Sequence, residues 1–387
     1  MNLLVVGGTG VLSTAVVQEA LKKGINVSII NRGNRMERIP KGATFLKADV
    51  HEEQKVRNLV RGKHYDSVID FICFNKEQLE YSVNLFKDFA DQYVYISTTC
   101  VYNAEIPGIK TENSPKVLKS WPYSRNKWAG EEFIIDHAQK TGLKYTIVRP
   151  CVTYDNTRIP YGIMPPYGWH WTLAARIKAN KPVVSIGGGQ NKWNLMRVED
   201  FAVGVVGLLG NPLALNQAFN ICGDTAYTWN EVLEVVGKYV GKKPIIYEMP
   251  KEEYAKAYPE QAERLNGRTL DYVCSNEKLK NLIPNYGDTY SLEEGIFKTL
   301  KYYEEHNYEK GIDWEFDSRQ DGIIFRDIKK QGGDVSKYNL RFIDYLGNAT
   351  SKDKLAYRIG FSHNNLFILL IRLKKQLSRH LRHLIPK

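Results

Sequence analysis

Short runs of aliphatic and β-branched residues alternate with helical patterns over the first 150 residues. The apolar runs are NLLVVGG, INVSIINRG, ATFLKADV, DSVIDFICF, DQYVYIST and KYTIVRP. The helical patterns between them are STAVVQEALKKG, HEEQKVRNLVRGK, KEQLEYSVNLFKDFA and YSRNKWAGEEFIIDHAQKTG. Apolar runs of this kind are typical of strands that are buried on both faces. The alternation therefore predicts an α/β fold with a doubly wound parallel sheet of the Rossmann type.

After Pro150 the pattern loosens into YDNTRIPYGIMPPYGWHW, which predicts either a long loop that lines or covers a pocket or an ordinary surface connection. The later patterns AFNICG, TWNEVLEVVGKYVG and SLEEGIFKTLKYYEEH indicate a smaller lobe. We predict a first domain over residues 1–160, to which the chain returns around 190–225. An interleaved lobe covers 161–310, and a C-terminal extension covers 311–387.

The composition is that of a soluble globular protein, with 43% hydrophobic and 25% charged residues in 387 positions. The cysteines are odd in number and lack metal-ligand spacing, so we expect reduced, mostly buried thiols in a cytoplasmic protein. They are Cys73, Cys100, Cys151, Cys222 and Cys274. The start MNLLVVGGTG is expected to be a first strand rather than a signal peptide. No apolar run reaches the roughly 18 residues of a membrane span.

The net charge of +11 is concentrated at the C-terminal end. Residues 331–387 hold eleven Lys or Arg and three Asp or Glu, a net +8, which leaves only +3 for the first 330 residues. Leucines recur there at steps of three and four, and basic residues stand beside them. The leucines are Leu366, Leu370, Leu373, Leu377, Leu381 and Leu384, and the basic residues are Arg372, Lys374, Lys375, Arg379 and Arg382.

A basic amphipathic helix of this kind has three possible partners. It can pack on its own domain or on a second subunit, it can lie on an anionic membrane surface, or it can bind nucleic acid. The first is favoured, and peripheral membrane contact is the next candidate. Nucleic acid is not favoured as a partner, because the main body of the chain lacks a basic excess.

A glycine loop, VVGGTGVLSTAV, follows the first strand directly and opens the first helix. Gly7 and Gly10 fit the pattern of a turn whose helix presents free N–H groups to a diphosphate. Ser13 takes the third position, where a small residue allows close helix–strand packing. The loop therefore predicts a dinucleotide site, and its nearest residues, Thr9, Val11 and Leu12, join the candidates.

The end of the second strand is expected to contact the adenosine ribose of that dinucleotide. The stretch IINRG places Arg32 there, and an arginine suits the 2′-phosphate of NADP. NADP is therefore slightly favoured over NAD, and Arg32 as a solvated loop residue is the alternative. Asp49, after the third strand, is a candidate for the adenine edge or, equally, for a helix N-cap.

The strand DQYVYIS ends at Thr98 in TTCVY, and the next helix carries YSRNK with Tyr123 and Lys127. Spacing i, i+4 puts these two side chains on one helix face. A lysine ammonium beside a phenol favours the phenolate and lowers the phenol's pKa. Such a tyrosine can act as general acid or base on an alcohol, with the Thr98 hydroxyl on the same oxygen.

The same spacing occurs at Tyr239/Lys243 and Tyr247/Lys251, so it is weak by itself. Neither of those pairs follows a strand that ends in hydroxyl residues, and we discount both.

Taken together, GGTG, ISTTCVY, YSRNKWAGEE, VRP, VEDFA, FNICG and SLEEG resemble the extended short-chain dehydrogenase/reductase family, of the nucleotide-sugar epimerase/dehydratase type. The resemblance covers about residues 1–310. It implies that Tyr123 is the acid/base and that Thr98 supplies the active-site hydroxyl. It also implies that Lys127 binds the nicotinamide ribose, that the protein is a homodimer, and that it serves polysaccharide biosynthesis.

Two departures from the family bear on the substrate. The family's dehydratases carry acidic residues after the active-site hydroxyl, where this chain has Thr99 and Cys100, which argues against 4,6-dehydration. The family often has a diphosphate-binding arginine seven residues before the aspartate matching Asp200, and here that residue is Trp193. Lys192 and Arg197 are candidates to compensate. The substrate candidates are Thr99, Tyr154, Arg158, Trp193 and Arg268.

The resulting prediction is an NAD(P)-dependent enzyme that epimerises or reduces a sugar, with a nucleotide sugar preferred. One alternative is an NADPH-dependent reductase of a non-sugar alcohol. Another is a non-catalytic protein of the same fold that binds nucleic acid or regulates.

Overall fold

The computed structural model describes residues 1–165, 169–308 and 311–362, together with Leu366, Leu369, Leu370 and Leu373. The chain divides into two compact units. Unit 1 consists of Met1–Asp155, Asn191–Thr228 and Asn266–Gly295, and unit 2 consists of Asn156–Gln190, Trp229–Leu265 and Ile296–Lys387. The chain thus re-enters unit 1 twice. The second return, at Asn266–Gly295, lies within the range predicted for the smaller lobe.

The strands and helices follow in chain order. The strands are β1 (Asn2–Val6), β2 (Asn26–Asn31), β3 (Thr44–Lys47), β4 (Tyr65–Asp70), β5 (Ala90–Ile96), β6 (Tyr145–Pro150), β7 (Val152–Tyr154), β8 (Pro182–Ser185), β9 (Lys192–Arg197), β10 (Gln217–Ile221), β11 (Ala226–Thr228) and β12 (Ile245–Glu248). The helices are α1 (Val11–Lys22), α2 (Glu53–Val60), α3 (Lys76–Phe86), α4 (Pro122–Thr141), α5 (Trp171–Lys178), α6 (Val198–Leu208), α7 (Trp229–Val240), α8 (Lys251–Ala257), α9 (Ala262–Arg268), α10 (Glu277–Leu282), α11 (Leu292–Glu305), α12 (Trp314–Lys330) and α13 (Ser351–Ser362).

Unit 1 is built on a seven-stranded sheet in the order β10-β6-β5-β4-β1-β2-β3. Every neighbouring pair is parallel, which confirms the predicted doubly wound Rossmann-type fold. The pattern AFNICG, grouped with the smaller lobe, supplies β10 at the edge of this sheet, within the range 190–225 where the chain was predicted to return to the first domain. This strand pairs with β6, which lies about 70 residues earlier in the chain.

Each face of the sheet has its own hydrophobic core, and β1 shows why. Leu3 and Val5 point into a core that includes residues of α1 and α6, whereas Leu4 and Val6 point into the core on the opposite face. All four are fully buried. A strand with two buried faces needs apolar residues at every position, which explains the continuous apolar run.

A smaller sheet in unit 1, in the order β11-β9-β7, carries two of the predicted substrate residues. Trp193 lies in β9 and Tyr154 ends β7, which runs parallel to β9.

Unit 2 contains the parallel pair β12-β8 and, among its described residues, the helices α5, α7, α8, α12 and α13 and most of α11. Within it, the segment after Asn156 is largely buried at Ile159, Tyr161, Ile163 and Met164. The alternative of an ordinary surface connection is therefore wrong for the described part of this segment.

A buried charge network joins the C-terminal extension to α5 and β8 inside unit 2. Arg176 donates to Asp317 at 2.6 Å and to Asp321 at 2.8 Å, and Lys181 donates to the same carboxylates at 3.1 and 2.5 Å. None of the four side chains has any solvent exposure. Tyr345 also donates to Asp317, at 2.8 Å. Since the two aspartates come from α12, the extension is an integral part of unit 2.

The leucine stripe of the tail lies only partly in the described residues. Leu366, Leu370 and Leu373 are helical and exposed, whereas Leu377, Leu381 and Leu384 lie outside the described residues. The basic residues Arg372, Lys374, Lys375, Arg379 and Arg382 also lie outside them. Within the described part of the chain, no helix is both long and apolar enough to cross a bilayer. All five cysteines are free thiols, and all but the half-buried Cys151 are buried.

The buried network makes a prediction about the stability of unit 2. Asp317→Ala should lower the free energy of unfolding by about 3–5 kcal/mol, because it leaves two buried cations with one carboxylate between them. Lys301→Ala is the control, since it removes an exposed i, i+4 pair with Glu305 and should cost about 0.5 kcal/mol or less. Urea unfolding of the full chain measures both. Equal effects of the two changes would contradict a structural role for the network.

Candidate active site

The predicted dinucleotide loop forms the tight turn between β1 and α1. Gly7 has a φ of +88°, and a Cβ built there would lie 2.6 Å from Cγ2 of Ile72. A Cβ on Gly8 would lie 2.7 Å from Cγ2 of Ile29. Only glycine therefore fits at these two positions. The turn leaves the N-terminus of α1, with Val11 and Leu12, beside the loop, an arrangement that fits a bound diphosphate.

The Ser13 side chain stabilises this turn with two hydrogen bonds that a glycine at the same position could not make. Its hydroxyl accepts from the Gly10 N–H at 2.8 Å and donates to the Gly7 carbonyl at 3.2 Å. Ser13 is buried, as its place against the first strand requires.

The residues predicted at the adenosine end lie together at the ends of β2 and β3. Arg32 is 64% exposed, and its Nη1 lies 3.9 Å from Oδ2 of Asp49. Exposed pairs of this kind contribute little, so Arg32 can exchange its partner for a phosphate. Asp49 does not cap α2, because Glu52 holds the N-cap position. Its carboxylate instead accepts from the His51 N–H at 3.1 Å, so the N-cap alternative is wrong.

The hydroxyl residues after β5 have different partners. The Thr98 hydroxyl accepts from the Cys100 N–H at 3.2 Å, and the Thr99 hydroxyl donates to the Pro150 carbonyl at 3.3 Å. The Ser97 hydroxyl donates to Glu131 at 2.5 Å. Thr99 thus ties this turn to β6, a structural contact that the sequence did not predict for a substrate candidate.

Helix α4 presents Tyr123 to solvent and buries Lys127. It begins with Pro122 at its first position and ends at Gly142, whose φ of +77° is the usual left-handed cap. Tyr123 is 39% exposed, whereas Lys127 is 4% exposed. One turn of helix therefore separates an accessible phenol from a buried ammonium.

The Lys127 ammonium is held between two strand ends. Nζ donates to the carbonyl of Cys73, after β4, at 2.7 Å and to the carbonyl of Ile96, at the end of β5, at 2.9 Å. Burial lowers the pKa of Lys127 to about 8, and the carboxylates of Asp70 and Glu131 oppose that shift.

The two other Tyr-x-x-x-Lys pairs have no such arrangement. The Tyr239 hydroxyl donates to Glu304 and the Tyr247 hydroxyl donates to Asp327, each at 2.7 Å. Burial and these carboxylates raise the pKa of both phenols. Tyr247 also lies in a strand, so the four-residue spacing does not put it on a helix face with its lysine.

A buried ion pair behind α4 was not predicted as part of the site. Arg149 of β6 donates to Glu131 twice, from Nε at 2.9 Å and from Nη2 at 2.6 Å. Arg149 also donates to the Tyr102 hydroxyl at 2.8 Å, which in turn donates to Asn220 of β10 at 2.6 Å. The sequence indicated only that Glu131 lies four residues after Lys127 on the same helix face.

The predicted substrate residues Trp193 and Arg268 lie together. The guanidinium of Arg268 is 4.4 Å from the Trp193 ring centroid, and the Trp193 indole donates to the Leu270 carbonyl at 3.0 Å. Trp193 is almost completely buried. Its ring centroid is 4.4 Å from that of Tyr272, which the sequence did not single out.

Trp121, also not predicted, connects this pair to Tyr123. Its ring centroid lies 5.6 Å from that of Tyr123 and 6.2 Å from that of Tyr272. The four aromatic residues Tyr123, Trp121, Tyr272 and Trp193, with Arg268 on the last ring, form what we call the aromatic wall. It places a cation at the far end of a row of rings that begins at the candidate acid/base.

The other substrate candidates lie elsewhere. Tyr154 is buried at the end of β7, and its ring centroid is 5.4 Å from the Arg197 guanidinium. Arg197 is also buried and donates to Glu199 at 2.7 Å and to the Gly295 carbonyl at 3.1 Å. It is thus engaged within unit 1. Lys192 begins β9 and is exposed. Arg158 belongs to unit 2.

Comparison with known proteins places this geometry in context. The sequence model of the NAD dependent epimerase/dehydratase family matches residues 3–222, more than half of the chain. The chloroplast stem-loop binding protein of 41 kDa b from Arabidopsis thaliana is 23% identical over 313 residues, which cover 76% of this chain and 77% of that protein. The 2'-dehydrokanamycin reductase of Streptomyces kanamyceticus is 23% identical over 287 residues, 74% of this chain and 80% of that enzyme.

Among solved structures, the UDP-glucose 4-epimerase of Thermus thermophilus in complex with NAD superimposes with a TM-score of 0.63. The match covers 79% of this chain and 99% of that one at 21% identity, so it shows a shared fold.

The glycine turn makes a prediction that needs no knowledge of the substrate. Gly7→Ala should weaken NADH binding at least about tenfold, because the new methyl group collides with Ile72 and shifts the turn. Gly24→Ala is the matched control, since Gly24 has a φ of +74° but nothing within 4 Å of its Cβ position. The control should lose about 1 kcal/mol of stability and keep its NADH affinity. NADH fluorescence titration measures both, and equal affinities would contradict the assignment.

Proposed function

The chain belongs to the NAD dependent epimerase/dehydratase family, and from that premise we propose that it epimerises or reduces a sugar by reversible hydride transfer. The observation that carries the proposal is the pairing of an exposed Tyr123 with a buried Lys127 at the carboxyl ends of β4 and β5. Burying an ammonium costs free energy of desolvation. A protein that only binds does not need such a group, whereas an acid/base centre uses its charge to tune the neighbouring phenol.

Tyr123 is proposed to exchange a proton with a substrate hydroxyl. Lys127 stands one turn along the same face, and its positive charge favours the phenolate state of a neighbouring phenol. Thr98 is proposed to hydrogen-bond the same substrate oxygen. A bound nicotinamide cofactor would supply the reversible acceptance of a hydride from the adjacent carbon.

The substrate is proposed to be a nucleotide sugar, which the family and its epimerases support. The carboxylates of 4,6-dehydratases have no counterpart at Thr99 and Cys100, which leaves epimerisation and keto-reduction. A sugar without a nucleotide is the first alternative to test, because a relative of similar coverage is named a 2'-dehydrokanamycin reductase. Cofactor retained through purification would support epimerisation, and readily exchanged cofactor would support reduction.

A second candidate is the binding of a nucleic-acid stem-loop, because the plant relative is named a stem-loop binding protein. This activity would depend on the basic residues after position 330 and would fall steeply with salt. Stem-loop RNA bound by the full chain, and released on deletion of 331–387, would favour it over catalysis.

Tyr123→Phe tests the proposed chemistry. Turnover with candidate nucleotide sugars should fall by about 10²–10⁴-fold, because the general acid/base is removed while the ring is kept. Tyr239→Phe is the matched control, since it removes the phenol of a second Tyr-x-x-x-Lys pair in unit 2 and should leave turnover unchanged. Unimpaired turnover in the Tyr123 variant would sink the catalytic assignment.

Arg32→Ala tests the proposed preference for NADP. NADPH affinity should fall about tenfold, the value of one contact between a cation and a phosphate, and NADH affinity should stay the same. Arg61→Ala, at an exposed arginine just after α2, serves as the control. Wild-type protein that binds NADH more tightly than NADPH would show that the preference is wrong.

A further inference from the structure

Asp70 is a buried carboxylate for which the proposed mechanism has no use. It is the last residue of β4 and is 1% exposed. Its two oxygens accept from the Ile72 N–H at 2.7 Å and from the Ser82 hydroxyl at 2.5 Å. The Tyr93 hydroxyl donates to Ser82 at 2.7 Å. Hydrogen bonds to this buried carboxylate hold their donors in place, which are Ile72 in the segment after β4 and Ser82 in α3.

The segment that Asp70 fixes lies between the glycine turn and Lys127. Ile72 fills the space that a Cβ on Gly7 would need. The carbonyl of the next residue, Cys73, accepts a hydrogen bond from Lys127 Nζ. The hydrogen bond that Asp70 accepts from the Ile72 N–H therefore orients two neighbouring residues, Ile72 against the dinucleotide turn and Cys73 against the ammonium.

The far end of this segment is also secured. The Phe74 N–H donates to Gln78 of α3 at 2.7 Å, and Asn75 caps α3 by accepting from the Gln78 N–H at 2.9 Å. The Phe74 ring is exposed, and its centroid lies 5.5 Å from Lys127 Nζ. With both ends held, the position of the Cys73 carbonyl depends on Asp70 at one end and on Gln78 at the other.

We propose that Asp70 is a positioning residue that sets the place and the charge of Lys127 and couples Lys127 to the glycine turn. This inference deepens the proposed function and rests on it, because it takes Lys127 to contact the bound cofactor.

The groups that face Lys127 come from four elements. Asp70 comes from β4, Cys73 from the segment after it, Tyr95 from β5 with its ring centroid at 5.1 Å, and Glu131 from α4 itself. Glu131 is neutralised by the two hydrogen bonds from Arg149. Burial raises the pKa of the Cys73 thiol, which keeps it uncharged.

Asp70 takes its hydrogen bonds from neutral donors, so its own charge acts on Lys127. Burial raises the pKa of Asp70, and the Ser82 and Ile72 donors oppose that shift and favour the carboxylate. The negative charge of Asp70 raises the pKa of Lys127, against the burial that lowers it to about 8. Loss of the Asp70 charge should therefore let the Lys127 ammonium lose its proton at a lower pH.

The experiment measures NADH affinity by fluorescence titration of the full chain between about pH 6.5 and 9.5. In the wild type, affinity should fall as pH rises through the pKa of Lys127, and Lys127→Met should remove that step. Asp70→Asn keeps an acceptor for the Ile72 N–H but loses the charge. The pH at which NADH affinity falls should therefore be about one pH unit lower in this variant. Ser82→Ala should move the step in the same direction by less.

Ser67→Ala is the matched control, because Ser67 is a fully buried serine of the same strand that donates to Gln92 at 2.6 Å, away from the segment. In this control, NADH affinity should fall at the same pH as in the wild type. Thermal melting of each variant confirms that it folds. If Asp70→Asn does not fold, the Ser82→Ala variant tests the inference in its place.

Two failures can be told apart. In the first, the wild type shows the fall in NADH affinity with pH and Lys127→Met removes it, but a folded Asp70→Asn or Ser82→Ala variant shows it at the wild-type pH. That result overturns this inference alone. A wild type without such a step overturns the proposed role of Lys127, and this inference falls with it.

Discussion

The burial of one ammonium group governs the arrangement of the candidate site. A cation in the protein interior is tolerated only where hydrogen-bond acceptors replace its water. Lys127 finds them in the carbonyls of Cys73 and Ile96, which lie where β4 and β5 end. This requirement fixes the rotation of α4 about its axis. Tyr123 lies one turn earlier on the same face of α4 and is exposed.

The same helix is fixed along its length by the pair of Glu131 and Arg149. A buried ion pair is weak evidence for stability, since desolvation can offset the attraction, but loss of either partner leaves an uncompensated charge. The pair therefore acts chiefly as a constraint on geometry. Through Tyr102 and Asn220 the constraint reaches β10, the edge strand that the chain adds only after its return from unit 2.

The aromatic wall gives the site a different character from one built on several arginines. Trp193 stands where the family resemblance led us to expect a diphosphate-binding arginine, and Arg197 is occupied by Glu199. Positive charge on this side of Tyr123 therefore comes from Arg268, stacked on the Trp193 ring. The rings of this wall are tilted or edge-on to one another, and one guanidinium lies over the last of them.

The sequence by itself determined the parallel sheet, the position of the glycine turn and the Tyr123–Lys127 pair, because these depend on local periodicity and on spacing within one element. It did not determine that Arg149 pairs with Glu131 or that the Thr99 hydroxyl donates to Pro150. The contact of Lys127 with Cys73 joins residues 54 positions apart, and the spacing of two such residues carries no information about their meeting. Only the tertiary structure decided these contacts, because strand ends from distant parts of the chain meet at one edge of the sheet.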